Sequence, residues 1–270
     1  MSRNSNPSFH EIRLDGQAPI LLSPQTAGAG VGKAAHTHPE GQFYFAIHGL
    51  MVVETASGRC VMPPGRLSWI PPMTPHGASV IGSRHPAEPD ALVGFTVHML
   101  PALCEQFPAE PVVLSLSPVL EAILTRMQQW PRQQALTAAE QRLLGVFIDE
   151  IHAAKPEPLR LKMPVSKGLA TLAAAIADDP ADETSLDEWV VRLAMSRRTI
   201  TRHFRAETGM SIVEWRQVAR LQRALELLGD GESVTRVALT LGYDSVSSFI
   251  ALFRRVIGTT PAKFTAGTHR

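Results

Sequence analysis

The sequence predicts an α+β protein, with an N-terminal antiparallel β-barrel or jelly roll, appended helices, and an all-α C-terminal domain. Short runs rich in β-branched and aromatic residues, separated by Gly and Pro, fill residues 9–114, which is typical of a small barrel. Residues 186–270 instead place apolar residues at helical spacing and contain one short motif twice. A chain of 270 residues accommodates both domains with ordinary cores.

Four β-rich runs define the predicted barrel: Phe43–Ile47, Leu50–Val53, Leu67–Ile70 and Ala91–Val97. A histidine pattern falls among them. His36 and His38 are two residues apart, so on one strand both point to the same face. His76, expected on a neighbouring strand, would complete a trio. Three neutral imidazoles suit Zn, Ni, Cu or Fe(II), so the pattern indicates a metal site.

Two stretches resemble the paired motifs of the cupin family: Gly30-x5-His36-x-His38-x3-Gln42-x6-Gly49 and Gly65-x5-Pro71-x4-His76. In that family two histidines, a glutamate and a later histidine converge on a metal inside the barrel. The resemblance therefore implies ligands at His36, His38, Gln42 and His76.

This chain departs from the cupin pattern at two positions. Gln42 stands where the family has a glutamate, which removes the anionic ligand, and Met73 replaces a glycine. On one strand the side chain of Glu40 would point to the same face as those of His36 and His38. Its approach to the metal therefore stays open. An organic-effector pocket, whose histidines hydrogen-bond the ligand or one another, is the alternative. We interpret His48 and His98 as ordinary strand or turn residues.

Two helices are predicted between the barrel and the C-terminal domain. Ser117-Pro118 begins the first, and the capping box Thr137-x-x-Glu140 begins the second. The second carries a broad apolar stripe formed by Leu143, Leu144, Phe147, Ile148 and Ile151. Such a stripe serves the barrel core or a dimer interface, and we expect a homodimer through it. Lys155-Pro156-Glu157-Pro158 ends this segment and begins a linker.

The repeated C-terminal motif has the form of a helix-turn-helix. Capping boxes at Ser185-x-x-Glu188 and Ser211-x-x-Glu214 predict helix starts, and further helices are expected from Ser196 and Ser245. Gly242 stands where a tight turn between helices favours glycine. A helical bundle with solvated arginines is the alternative, but two copies joined by a long helix suit two successive major grooves, about 34 Å apart.

This region resembles the AraC/XylS family of transcription regulators, whose C-terminal domain carries two such motifs. The closest part runs Val237-Ala238-x2-Leu241-Gly242-Tyr243-Asp244-Ser245, then Phe249, Phe253-Arg254-Arg255, Gly258 and Pro261. The resemblance implies base contacts by Arg198, Thr201 and Arg202. It further implies contacts to phosphates or bases by Arg197, Arg205, Ser247, Ser248, Arg254 and Arg255. Within the family, helices appended to a cupin domain commonly form the dimer interface.

Charge and composition restrict the function classes. Residues 186–270 hold 13 Lys and Arg against 8 Asp and Glu, while the chain as a whole has a net charge of +1, which favours a basic face on the C-terminal part. The chain begins without the apolar stretch of a signal peptide, and no stretch is apolar enough to span a bilayer. We therefore expect a cytoplasmic protein, in which Cys60 and Cys104 are buried, reduced thiols.

Together these patterns predict a cytoplasmic, non-enzymatic regulator. We expect it to sense a small molecule or metal ion and to bind double-stranded operator DNA, with RNA polymerase as a partner if it activates. A metal-dependent cupin dioxygenase or isomerase with a helical accessory domain is the alternative, and a metallochaperone-like store is a third. The expected segments are 1–115 (sensor), 116–155 (helical dimerisation segment), 156–164 (linker) and 165–270 (DNA-binding domain).

Overall fold

The computed structural model describes residues 14, 18–27, 31–81, 92–130 and 134–268. Residues 9–13, Gly30 and Ala91, which belong to the predicted barrel, lie outside the described residues. The strands are β1 (Ile20–Ala27), β2 (Gly32–His36), β3 (Gly41–His48), β4 (Leu50–Thr55), β5 (Gly58–Met62), β6 (Arg66–Ile70), β7 (His76–Ile81), β8 (Leu92–Met99), β9 (Val112–Ser115) and β10 (Arg160–Lys162). The helices are α1 (Pro101–Cys104), α2 (Pro118–Met127), α3 (Ala138–Ala153), α4 (Lys167–Asp178), α5 (Leu186–Leu193), α6 (Arg197–Thr208), α7 (Ile212–Gly229), α8 (Val234–Thr240), α9 (Val246–Ile257) and α10 (Pro261–Thr268).

The contacts divide the chain into two compact units. Unit 1 contains the chain up to residue 56 and residues 62–157, and unit 2 contains residues 57–61 and 158–270. In unit 1, one antiparallel sheet has the order β1-β8-β3-β6-β9, while β4, β7 and β2 follow one another in a second. This is the predicted antiparallel β architecture.

The core of unit 1 is aromatic. Phe43 on β3 and Trp69 on β6 are fully buried opposite each other, with ring centroids 4.6 Å apart. Phe147 of α3 reaches the same cluster, 6.1 Å from Phe43. Helices α2 and α3 therefore pack onto the barrel. Their predicted starts are confirmed: Ser117 caps α2, with proline at its first position, and Thr137 with Glu140 forms a capping box.

The α3 stripe is used mainly inside its own unit. Leu144, Phe147 and Ile151 are buried in the core of unit 1, and Leu143 and Ile148 are partly buried against it. Helical periodicity identifies the apolar face but not what covers it, so the stripe alone gives no interface.

In unit 2, β10 pairs antiparallel with β5, with Leu161 opposite Arg59. This short strand lies in the segment predicted as a linker. The long helix α7 packs beside it: the Trp215 indole donates to the Lys162 carbonyl oxygen at 3.0 Å, and the Gln222 amide donates to the Leu159 carbonyl oxygen at 2.8 Å.

The predicted helix starts in unit 2 are also confirmed. Ser185 with Glu188 and Ser211 with Glu214 form capping boxes. Gly242 adopts φ +68°, as the predicted tight turn requires. The first motif differs at this point, because Ala194 occupies the left-handed region with φ +50° and so carries a strain that glycine avoids.

Candidate functional site

Three histidines of unit 1 converge. His36, the last residue of β2, pairs with His76, the first residue of β7, and their ring centroids are 4.4 Å apart. His38 joins them 5.0 Å from His76. The potential ligand atoms of the three side chains all lie within 4.8 Å of one another. One detail of the prediction is wrong: β2 ends at His36, so His38 reaches the cluster from the connection to β3 rather than from the strand.

Each of the three imidazoles turns its Nδ1 atom toward an oxygen acceptor. His36 Nδ1 lies 3.1 Å from the Ala34 carbonyl oxygen, and His76 Nδ1 lies 2.8 Å from that of Thr74. His38 Nδ1 lies 3.4 Å from Glu40 Oε2. Because a carbonyl oxygen only accepts, these contacts favour the tautomer that carries its proton on Nδ1 in His36 and His76. The Nε2 lone pairs are then left for a ligand.

Burial favours the neutral forms of His36 and His76. It lowers the pKa of His76 to about 4 and lowers the pKa of His36 below its ordinary value, although backbone hydrogen bonds partly oppose the effect. Neutral imidazole is the form that binds metal ions.

Gln42 lies at the centre of the cluster. Its Oε1 is 3.0 Å from His38 Nε2 and 2.9 Å from His76 Nε2. When both Nε2 atoms are unprotonated, the amide satisfies them by presenting its NH2 group, which a half-turn of the side chain exchanges with the oxygen. Gln42 therefore has two available roles: an NH2 donor to the two imidazoles, or an oxygen ligand.

Glu40 places a carboxylate beside the cluster, near His38 Nδ1, but it does not belong to the group of potential ligands among the described residues. It is 4 % exposed, and its Oε1 accepts from the Leu14 backbone N–H at 3.3 Å. Its Oε2 and His38 Nδ1 are both buried, and among the described residues neither has a hydrogen-bond partner of normal geometry. A buried carboxylate without a full partner is costly, so this pair is a candidate position for binding a ligand.

His98, which the sequence predicts to be an ordinary strand or turn residue, is a buried strand residue that lies beside the cluster. It is 5 % exposed on β8, opposite Gln42 of β3, and its ring centroid lies 5.5 Å from that of His38. Burial lowers the pKa of His98 to about 3. Its position along β8 fixes the face of the sheet on which His98 lies. Whether that face carries the histidine cluster depends on the pairing of β8 with β3, which could not be known from the sequence.

The candidate nucleic-acid interface lies in unit 2, on α6 and α9. Ser196 and Ser245 cap these helices by accepting from the backbone N–H groups of Thr199 and Ser248. Each helix buries one face, α6 with Ile200 and Phe204 and α9 with Phe249, Phe253 and Ile257. Each ends at a glycine in the left-handed conformation, Gly209 or Gly258.

The structure exposes all nine predicted DNA-contacting residues: Arg197, Arg198, Thr201, Arg202, Arg205, Ser247, Ser248, Arg254 and Arg255. Arg197 forms an ion pair with Asp187 at 2.6 Å. The Thr201 hydroxyl donates to the Arg197 carbonyl oxygen, and the Ser248 hydroxyl donates to that of Ser245. These hydroxyls retain acceptor capacity, whereas the arginines of α6 offer most of the donors on the outer faces of the two helices.

Two families match this chain. Residues 23–162 match the AraC-like ligand binding domain, and residues 189–267 match a helix-turn-helix domain. The HTH-type transcriptional regulator NimR of Escherichia coli K12 is 29 % identical over 269 residues, which cover 96 % of this chain and 94 % of NimR. The E. coli regulator GadX is 33 % identical over 140 residues, 52 % of this chain and 48 % of GadX.

Among solved structures, ToxT of Vibrio cholerae aligns over 92 % of this chain and 98 % of its own, with 8 % identity and a TM-score of 0.39. The DNA-binding domain of AdpA, solved with a target DNA, aligns over 37 % of this chain and 92 % of its own at 32 % identity, with a TM-score of 0.35.

No helix in the described part of the chain has both the length and the apolar character needed to cross a membrane. The relatives are named as transcriptional regulators, which favours a regulator over the enzyme alternative. Because the ligand-binding family covers more than half of its length, the chain belongs to the AraC family of transcriptional regulators, with an N-terminal ligand-binding domain and a C-terminal helix-turn-helix domain.

Proposed function

We propose that this regulator binds operator DNA with α6 and α9 in successive major grooves, and that a divalent metal ion at His36, His38 and His76 is its effector. The observation that carries the effector proposal is the convergence of the three imidazoles, two of which, His36 and His76, direct Nδ1 to a backbone carbonyl oxygen. Metal-binding histidines in proteins almost always donate their second ring N–H to a carboxylate or carbonyl in this way.

The donor set fits a borderline transition metal. Three imidazoles and the Gln42 amide oxygen suit Zn²⁺, Ni²⁺, Cu²⁺ or Fe²⁺ better than Mg²⁺ or Ca²⁺, which favour oxygen ligands. A bound ion would supply positive charge and a fixed coordination geometry at this cluster. Glu40 would orient His38 and offset part of that charge, which compensates for the anionic ligand missing at position 42.

Metal titration of the full chain tests the effector proposal. Zn²⁺, Ni²⁺, Cu²⁺ and Fe²⁺, the last under anaerobic conditions, are each titrated by calorimetry into chelator-treated protein, and operator affinity is measured with and without the ion that binds. We expect one equivalent to bind and to change operator affinity, and His38→Ala to lose both effects. His48→Ala, the same change outside the cluster, is the control. A chain that binds none of these ions, while a small organic compound changes its operator affinity, would instead make the barrel an organic-ligand pocket.

The DNA part of the proposal rests on the exposed arginines of α6. Arg198 and Arg202 are exposed on a helix whose opposite face is buried. A guanidinium can donate two hydrogen bonds to guanine O6 and N7, so we expect α6 to contribute more to sequence preference than α9. On α9 the corresponding outer face carries Ser247 and Ser248, together with the short side chain of Ala251. Selection of tight-binding duplexes from a random pool tests this, and a protein that selects no sequence would refute it.

A homodimer through α3 is part of the same proposal. Val146 is 44 % exposed, and Leu143 and Ile148 are only partly covered within their own unit. In such a dimer, binding of one DNA-binding domain to a repeated operator would raise the effective concentration of the other at the second repeat. RNA polymerase would be a further partner if the protein activates transcription.

A further inference from the structure

Arg220 lies where three segments of unit 2 meet. It belongs to α7, the helix between the two helix-turn-helix motifs. Its Nε donates to the Pro180 carbonyl oxygen at 2.9 Å, in the turn before α5. Its guanidinium carbon lies over the Tyr243 ring, 5.5 Å from the centroid, in the turn between α8 and α9. One side chain therefore contacts both the α4–α5 connection, which leads into the first motif, and the turn of the second motif.

The two turns also approach each other closely at this point. A Cβ atom placed on Gly242 would lie 3.5 Å from Arg220 Nη2 and 3.6 Å from Ala181 Cβ. The Gly242 turn is therefore in van der Waals range of both the arginine and the residue after Pro180. With φ +68°, glycine fits this position without backbone strain.

One contact of Arg220 leads directly to a recognition helix, and the other leads to α6 through α5. The Tyr243 ring packs 5.3 Å from that of Phe249, which lies on the buried face of α9. On the other side, Pro180 precedes α5, and α5 connects through a short turn to α6. A guanidinium can donate a hydrogen bond in its plane while its face packs on an aromatic ring.

We propose that Arg220 is a positioning residue that sets the orientation of α6 relative to α9, and thereby the distance between the two DNA segments that they recognise. This inference rests on the proposed two-groove DNA binding. One additional base pair between two recognition segments moves the second by about 3.4 Å along the duplex and also rotates it around the helix axis. A DNA-binding domain that holds its two recognition helices in a fixed orientation therefore discriminates sharply between different spacings of the two DNA segments.

The experiment uses duplexes selected by the wild-type full chain, together with the same duplexes lengthened or shortened by one base pair between the two recognised segments. We expect the wild type to lose at least tenfold in affinity when the spacing changes. Arg220→Met should reduce that discrimination to less than threefold, mainly by weakening binding at the selected spacing. Arg223→Met, which removes the same charge from the same helix, should keep the wild-type discrimination, because its ion pair to Glu226 is local.

Several outcomes are decisive. Unchanged discrimination in Arg220→Met, or an equal loss at every spacing, would overturn the proposal. If Arg220→Met is not helical at the assay temperature, Tyr243→Leu replaces it, since this variant removes the ring and keeps the bond to Pro180, and it must also lose discrimination. Failure of the wild type to select any duplex would refute two-groove binding itself, which is a different result.

Discussion

Replacing Glu40 with glutamine should weaken metal binding without destabilising the metal-free protein. The carboxylate is 4 % exposed, and Oε2 lies 3.4 Å from His38 Nδ1. Loss of such an outer carboxylate typically lowers metal affinity by about 10- to 100-fold, which corresponds to about 1.4 to 2.7 kcal/mol. The amide of Gln is nearly the same size and still accepts from the Leu14 N–H, so the packing is preserved.

The substitution should change the Zn²⁺ affinity without lowering the stability of the metal-free protein. In the metal-free state the substitution replaces a buried carboxyl group whose Oε2 lacks a hydrogen-bond partner among the described residues, so the melting temperature should stay constant or rise. Competition with a chromophoric chelator measures the Zn²⁺ affinity, and calorimetric melting measures the stability. Glu105→Gln, an exposed carboxylate of the same unit, is the matched control. Unchanged Zn²⁺ affinity in Glu40→Gln would refute the role of Glu40, and a drop in metal-free melting temperature would show that its role is structural.

Four further results are expected. Arg202→Ala should cost about 1–3 kcal/mol on the selected operator and relax one base preference, whereas Arg254→Ala should weaken all sequences alike and flatten the salt dependence; equal losses for Arg202→Ala on operator and random DNA would contradict this. Ala194→Gly should raise stability by about 0.5–1 kcal/mol in calorimetric melting, because glycine adopts φ +50° without strain. Burial lowers the pKa of His98 from 6.5 to about 3, so this residue should reduce the free energy of unfolding by about 1.4 kcal/mol for each pH unit below 6.5. Urea unfolding of metal-free His98→Asn at several pH values should show a pH dependence that is smaller by this amount. Val146→Glu should yield monomers with an unchanged melting temperature in light scattering, and a monomeric wild type would refute the α3 interface.

Features fixed by neighbouring residues could be predicted from the sequence. The capping boxes at Thr137, Ser185 and Ser211 depend only on a side chain and a backbone N–H three residues later, so their spacing is sufficient. Gly242 was predictable because a tight turn between two helices favours glycine, which is also a local requirement. Ala194 was not, because alanine rarely adopts the left-handed conformation and gives no signal of it.

Features that depend on long-range pairing could not be predicted. The residues of β10 are too few for a periodic pattern, and their partner β5 lies about a hundred positions earlier in the chain. In the same way, His98 joins the histidine cluster only because β8 pairs with β3 and places it opposite Gln42. A one-residue change in that register would turn His98 to the other face of the sheet.

The sensor site also shows why the missing cupin glutamate is a weak argument against metal binding. In the cupin pattern the negative charge comes from a glutamate ligand, which Gln42 replaces here, and the sequence leaves open whether Glu40 makes up for it. The structure places the buried Glu40 carboxylate 3.4 Å from Nδ1 of His38, where it would offset part of the charge of an ion bound as proposed. In the proposed site the negative charge would therefore come from Glu40 rather than from position 42, so Glu40 and His38 should be tested together.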